Sequence, residues 1–268
     1  MTPTAPHPPL RDFYGEAARR ERYVRSLFDD TAPWYDTAIA FLSFGSGQWY
    51  RRDVLRRAGL QPSDRVLDLA TGTGVVARAA SATTSQIVGV DPSIGMLRAG
   101  PQSLPRVQAT SEALPFASAS FDLITIGFAL RHFADLDLVF RECRRVLRPG
   151  GRILILEITA PQSPLARTLL GAYMGAVVPA VITAVTLRPR VGKLMSYYWA
   201  TTRDCVRPEV ILAALRGAGF EDVKREVSLA IFSEYSARLP LLPASRAAGR
   251  SESAETREAT SPDRRGSR

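Results

Sequence analysis

The segment Asp68-Leu-Ala-Thr-Gly-Thr-Gly74 puts a carboxylate, two hydroxyls and two glycines into one short turn. Glycines let the backbone approach a ligand where a Cβ would collide with it. A helix opening just beyond offers free N–H groups and the positive end of a dipole. Alone, such a loop fits a dinucleotide, S-adenosylmethionine (SAM) or a plain tight turn. The spacing is not Gly-x-Gly-x-x-Gly, which disfavours a pyrophosphate grip. Asp68 precedes the loop, where it can organise the turn or meet a cationic ligand. SAM carries a sulfonium and an ammonium, whereas a dinucleotide presents anions. Asp91 follows about 20 residues after the turn, where a carboxylate can take both ribose hydroxyls. Asp91-Pro92-Ser93 also reads as a helix N-cap turn, and the two roles are compatible.

Other residues extend this candidate cofactor site. Gly72, Thr73 and Gly74 form its loop. Ile94 and Met96 are placed to pack on an adenine ring, Thr110 and Ser111 to bond its edge, and Gly127 to line the opening of the sheet. Arg131 and His132 are the candidates for proton chemistry. Arg131 stays cationic and could stabilise a phenolate or act through a water, while His132 could accept a proton itself. Tyr35 and the Tyr197-Tyr198-Trp199 cluster offer aromatic faces to a ring-shaped acceptor; Tyr35 and Tyr197 are the substrate-binding candidates.

Alternating strands and helices must position these residues. Arg65–Ala70, Gln86–Asp91, Val107–Ala109, Phe121–Gly127 and Arg152–Ile158 read as short buried strands. Helical stretches follow at Val75–Ala82, from Ser93, at about Asp135–Leu147 and at Pro208–Gly219. Val223–Val227 and Ala230–Ala237 read as a closing pair of strands. The alternation implies an α/β fold with a doubly wound, mainly parallel sheet. Every candidate cofactor residue then falls at the carboxyl ends of strands, where such sheets bind ligands.

Residues 1–22 are expected to be a disordered lead-in. The Ala/Ser/Arg/Glu/Gly-rich stretch over 241–268 is expected to be a disordered tail, because it has too little apolar surface to offset the entropy of ordering. The domain proper is expected over 23–240, with a helical lid or insertion over 168–200. From Thr168 to Leu187 no charged residue occurs, which is about the length of a membrane span. Gly171, Gly175 and Pro179 interrupt it, and it lies inside the α/β order, so a buried or lid-like helical pair is the expectation, with a membrane-touching lid as the functional version of that reading.

Composition narrows the function class. Two cysteines, Cys143 and Cys205, are too few for a disulfide framework or a zinc cluster. Two histidines, His7 and His132, argue against a histidine-rich metal site, so no metal is expected. A formal net charge of +9 is compatible with nucleic acid, anionic lipid or an acidic substrate and does not choose among them. No appended RNA-binding module or base-holding Asn-Pro-Pro-Tyr motif is present.

Four stretches carry a family resemblance: Val66–Gly74, Gly89-Val-Asp-Pro-Ser-Ile-Gly-Met-Leu97, Val107–Phe116 and Phe121–Arg131. Together they resemble class I SAM-dependent methyltransferases. Phe28–Asp36 with Leu42-Ser-Phe-Gly45, and Arg145–Ile153, resemble the ubiquinone/menaquinone C-methyltransferase (UbiE-type) branch. The likeness runs from about Tyr23 to about Ala237. It implies a Rossmann-like, seven-stranded sheet with a helical N-terminal region and a helical insertion after the fifth strand. It also implies SAM contacts at Thr73, Asp91, Thr110, Ser111 and Gly127, and a role for Arg131 in removing the acceptor's proton. This chain departs from the pattern at Thr71, Thr110, His132, Ile39, Gly47 and the Ala230–Tyr235 ending.

The implied activity is methyl transfer from SAM to a small lipophilic acceptor, as C-methylation of a quinol or phenol ring. An O- or N-methyltransferase of natural products is the second reading, and a SAM-binding protein without catalysis the third. The expected setting is cytoplasmic with peripheral membrane contact and no nucleic-acid partner. The oligomeric state stays open, a homodimer included.

Overall fold

A computed structural model describes residues 4–43 and 46–241. The expected tail therefore lies, apart from Leu241, outside the described residues, as do Phe44 and Gly45 of the N-terminal signature. The described chain begins with helices α1 (Arg11–Tyr14), α2 (Arg20–Ser43) and α3 (Gly47–Arg57). Strand β1 (Val66–Leu69) leads into α4 (Val75–Ala80), and β2 (Ile87–Asp91) into α5 (Ile94–Ala99). Strands β3 (Arg106–Gln108) and β4 (Phe121–Gly127) follow, then α6 (Leu136–Val146) and β5 (Leu147–Ile158). Helices α7 (Pro164–Ala172), α8 (Val178–Thr186), α9 (Pro189–Arg203) and α10 (Pro208–Gly217) precede β6 (Glu221–Ser228) and β7 (Phe232–Arg238).

The seven strands form one sheet in the order β3-β2-β1-β4-β5-β7-β6. The first five are parallel, and β7 runs antiparallel to both its neighbours. All four side chains of β1 are buried, as expected for a central strand covered on both faces. In register, Asp68 sits beside Gly89 on β2 and Thr125 on β4. The strand order reverses between β1 and β4, so the carboxyl ends of β1, β2 and β4 open onto a shared crevice. Helix α3 packs on the sheet through buried Val54 and Leu55.

A helical cap covers that crevice. Helix α2 packs against α5, α8 and α9. Helices α7 and α8 are joined through a wider, π-helical turn at Tyr173–Val177, giving one long apolar rod from Pro164 to Thr186. The two glycines that interrupt this rod in the sequence make room for Trp199. A Cβ on Gly171 or Gly175 would lie 2.9 or 2.8 Å from its ring. The rod is long and apolar enough to cross a membrane, with mean hydropathy 1.8, yet only 17% of its most apolar window is buried.

Two expectations are corrected. The lead-in is packed from Thr4 onward. The Thr4 N–H donates to Asp135 Oδ1, the Pro6 carbonyl accepts from the Val206 N–H, and His7, Leu10 and Tyr14 are buried. Leu10 and Tyr14 join the aromatic core under the cap, which supplies the burial that composition alone hid. The fifth strand begins at Leu147 rather than Arg152, because Pro149-Gly150-Gly151 continues it after the helix ends.

Candidate active site

A cavity of about 880 Å³ opens over the carboxyl ends of β1, β2 and β4. The sheet side contributes Asp68, Gly72, Asp91, Met96, Thr110, Ser111 and Gly127. The cap contributes Tyr35 and Tyr198 together with Trp49, Leu170, Tyr173 and Met174.

On the sheet side, the Gly-rich turn is organised by two acids. Asp68 accepts hydrogen bonds from the hydroxyls of Thr71 (2.6 Å) and Thr125 (2.7 Å) and from the Ala77 N–H (3.2 Å). Burial raises its carboxyl above the ordinary range, and these three donors pull the other way. Asp68 thus braces the loop, one of the two roles open to it in the sequence. Asp91 accepts from the Gly72 N–H and the Ser93 N–H, each at 2.8 Å. Burial pushes its carboxyl up to about 6. Gly72 has φ of +56°, and a Cβ there would sit 3.2 Å from the Met96 methyl. A side chain would therefore strain the turn and crowd the cradle floor.

Ser93 caps α5, accepting from the Met96 N–H at 3.1 Å. Its hydroxyl and the Gly95 N–H both donate to Asp29 Oδ1, at 2.6 and 2.8 Å. Asp29 lies on α2, so the cap is latched to the cofactor side of the sheet. A second latch is Asp36, which accepts from the Thr73 hydroxyl at 2.5 Å and from Arg78 at 2.7 Å. Thr73 therefore faces α2, and neither Thr73 nor Gly74 lines the cavity. Ile94 also stays outside it, 38% exposed.

The cap side revises the acceptor candidates. The hydroxyls of Tyr35 and Tyr198 meet at 2.5 Å. Tyr197, one residue along α9, points elsewhere. It is buried among Phe13, Tyr23 and His132 and does not line the cavity. Arg131 is wholly buried and also does not line it. Its guanidinium pairs with Glu157, donates to the Thr201 hydroxyl at 3.1 Å and lies 4.3 Å from the Tyr198 ring centroid. Arg131 is thus placed to position Tyr198 from behind. His132 does line the cavity, stacked on Tyr197 and edge-on to Phe28. Neither ring nitrogen has a hydrogen-bond partner among the described residues. Burial, helped by the Arg131 charge, holds His132 well below its ordinary pKa, so the ring is neutral and a weak base near neutrality.

Four functional positions escaped the sequence reading. Asp29 and Asp36 carried no signal beyond their place in a family-like segment. Glu157 carried one, as an acid inside the apolar run Ile153-Leu-Ile-Leu-Glu-Ile158. The fourth, Arg51, is 5% exposed, lines the cavity and lies 5.2 Å from the Phe128 ring centroid.

Strand order, reversal point, Gly-rich turn and paired buried acids together define a class I methyltransferase fold. Solved structures agree. A SAM-dependent methyltransferase from Thermotoga maritima matches with TM-score 0.56 at 19% identity, over 80% of this chain and 98% of that one. One from Aquifex aeolicus matches with TM-score 0.52 at 15% identity, over 70% and 89%. More particularly, the chain belongs to the ubiE/COQ5 methyltransferase family, whose model matches residues 16–230. A demethylmenaquinone methyltransferase of Mycolicibacterium vanbaalenii is 36% identical over 202 residues, 75% of this chain and 87% of its own length. One of Mycolicibacterium paratuberculosis is 33% identical over 227 residues, 84% and 97%.

Proposed function

We propose that this protein transfers a methyl group from SAM to a ring carbon of a lipophilic quinol of the demethylmenaquinol type. The observation that carries the reading is the single cavity of about 880 Å³, which joins a polar, acid-lined sheet side to an aromatic and aliphatic cap side. Its volume lies within the range of small-molecule sites and leaves room for two ligands side by side. The name borne by the relatives, demethylmenaquinone methyltransferase, points to the same acceptor.

The residues fit SAM. Asp91 holds its carboxylate rigid between two backbone N–H groups, leaving lone pairs for ribose hydroxyls. Met96 offers an apolar face and Thr110-Ser111 polar groups for adenine. Gly72 keeps the cradle floor clear. When bound, SAM supplies a methyl group on a sulfonium leaving group. The protein's own work is then alignment and exclusion of water. Tyr35 and Tyr198 present hydroxyls to a ring oxygen, while Phe28 and Phe128 supply flat apolar walls.

The proposed partners are this lipophilic acceptor and an anionic membrane surface on the cytoplasmic side. Leu165, Leu169, Val177, Val181 and Val185 are exposed along the α7–α8 rod, and Leu187 just beyond its end. Exposed Arg167 and Arg188 stand near its two ends. Leu170, Tyr173 and Met174 of the rod line the cavity. A helix lying on the bilayer with basic flanks is a known physical mode, and here it would let a prenyl tail enter from lipid. Co-sedimentation with phosphatidylglycerol vesicles should drop at least tenfold in Leu165→Glu/Leu169→Glu, and equal binding by wild type and variant overturns it.

The test of the reaction is mass spectrometry after incubation with SAM and a panel of demethylquinols and simple phenols. One added methyl group on a naphthoquinol is expected. No methylated quinol with any member of the panel counts against the assignment.

A further inference from the structure

Two arginines are buried among the described residues, and they differ in one respect. Arg131 has Glu157 as its counterion. Arg51 has no ion pair and no hydrogen bond among the described residues, and its Nε–H is left without a partner. Buried charges are normally paired, because an uncompensated one is strongly unfavourable.

The geometry around Arg51 explains why no acid among the described residues neutralises it. It stands on α3, held in place one turn before buried Val54 and Leu55. Asp68 and Asp36 are the acids that act on it electrostatically. Both are already engaged, Asp68 by Thr71, Thr125 and Ala77, and Asp36 by Thr73 and Arg78. The guanidinium lies over Phe128 and lines the cavity together with Tyr35 and Tyr198. It therefore belongs to the cap-side half of the cavity, where the acceptor ring is placed.

We propose that Arg51 is the oxyanion receptor of the reaction, holding a ring oxygen of the acceptor as phenolate while the neighbouring carbon takes the methyl group. This rests on the quinol reading above. The chemistry balances without a further reagent. The phenolic proton leaves to water, and the oxygen's electron density moves into the ring. The ring carbon–methyl bond forms as the sulfur–methyl bond breaks, its electron pair staying on sulfur. The ring then loses the proton at that carbon to water and regains aromaticity. A fixed cation at the oxyanion stabilises charge where it develops.

Arg51→Gln and Arg51→Lys test this with three readouts. Turnover of Arg51→Gln at neutral pH should fall about a hundredfold, the scale of one lost oxyanion donor, and its acid limb should move up by about one to two pH units. Arg51→Lys should restore part of both. Calorimetric affinity for S-adenosylhomocysteine should stay within about twofold in each variant, which also reports an intact cofactor side. The third readout needs no turnover: 1-naphthol bound to wild type should ionise at lower pH than free naphthol, by absorbance, and Arg51→Gln should abolish the shift. Weakened S-adenosylhomocysteine binding with an unchanged pH profile would assign the anion to the donor's carboxylate and overturn the proposal. So would an unshifted naphthol ionisation in wild type. Failure of the quinol reading looks different, as absence of any methylated quinol from wild type.

Discussion

Replacing Glu157 with Gln leaves the side chain's shape almost unchanged and removes the countercharge of a wholly buried guanidinium. Arg131 and Glu157 are 0% and 1% exposed, and Glu157 also accepts from the Ile158 N–H at 2.9 Å. Removing one partner of such a pair costs about 3–5 kcal/mol, because the other charge stays buried and uncompensated. Glutamine can still accept one hydrogen bond from Arg131, so the lower part of that range applies. For a domain of this size that corresponds to a melting temperature lower by about 10 °C. Removing both charges in Arg131→Met/Glu157→Leu should return stability to within about 1 kcal/mol of wild type. The assay is urea unfolding followed by far-UV circular dichroism, with thermal melts as a cross-check. If Glu157→Gln costs less than about 1 kcal/mol, the pair is not the buried ion pair described. Turnover of the double variant tests the role. Arg131 lies behind Tyr198, so the double variant should keep turnover within about tenfold of wild type. A loss of about a thousandfold in a stable protein, the scale of a lost general acid–base group, would put Arg131 in the chemistry and refute the positioning role.

Asp91→Asn should weaken S-adenosylhomocysteine binding by about tenfold to a hundredfold, the worth of a charge-assisted hydrogen bond, measured by calorimetry. The wild-type affinity should itself fall as pH drops through about 6, since burial raises the Asp91 carboxyl to about 6 and only the ionised form offers both oxygens as acceptors; a flat profile from pH 7 to pH 5 contradicts this. Tyr198→Phe removes one hydroxyl of the 2.5 Å pair. It should raise the acceptor KM severalfold, leave S-adenosylhomocysteine affinity unchanged and alter stability by about 1 kcal/mol or less; an unchanged KM removes that hydroxyl from the acceptor pocket.

The sheet was legible because β1, β2 and β4 are short, mainly apolar runs closed by a break: Thr71-Gly72 just after β1, Asp91 at the end of β2 and Gly127 at the end of β4. The cofactor cradle was legible because its parts are local: a turn, an acid before it and an acid after the next strand. The acceptor side was not, since it is assembled from distant segments. Whether Arg51 is buried depends on how α3 packs against α4 and the sheet, which no local pattern encodes. Adjacent residues on a helix point about 100° apart, so of Tyr197 and Tyr198 one faces the cavity and its neighbour the aromatic core. Thr73 was assigned to the ligand from its place in the loop, but Asp36 on α2 takes its hydroxyl. Arg131 stands where the family pattern puts it, yet Glu157, an acid on β5, holds it in the core and away from the cavity.

The central claim is that the cavity delivers a methyl group to a ring carbon rather than to oxygen or nitrogen. Carbon-13 NMR of the product made from methyl-13C-labelled SAM and a demethylnaphthoquinol tests it directly. The label should appear as an aryl methyl carbon, with one ring proton gone from the product. A methoxy or N-methyl signal, with all ring protons retained, would contradict it.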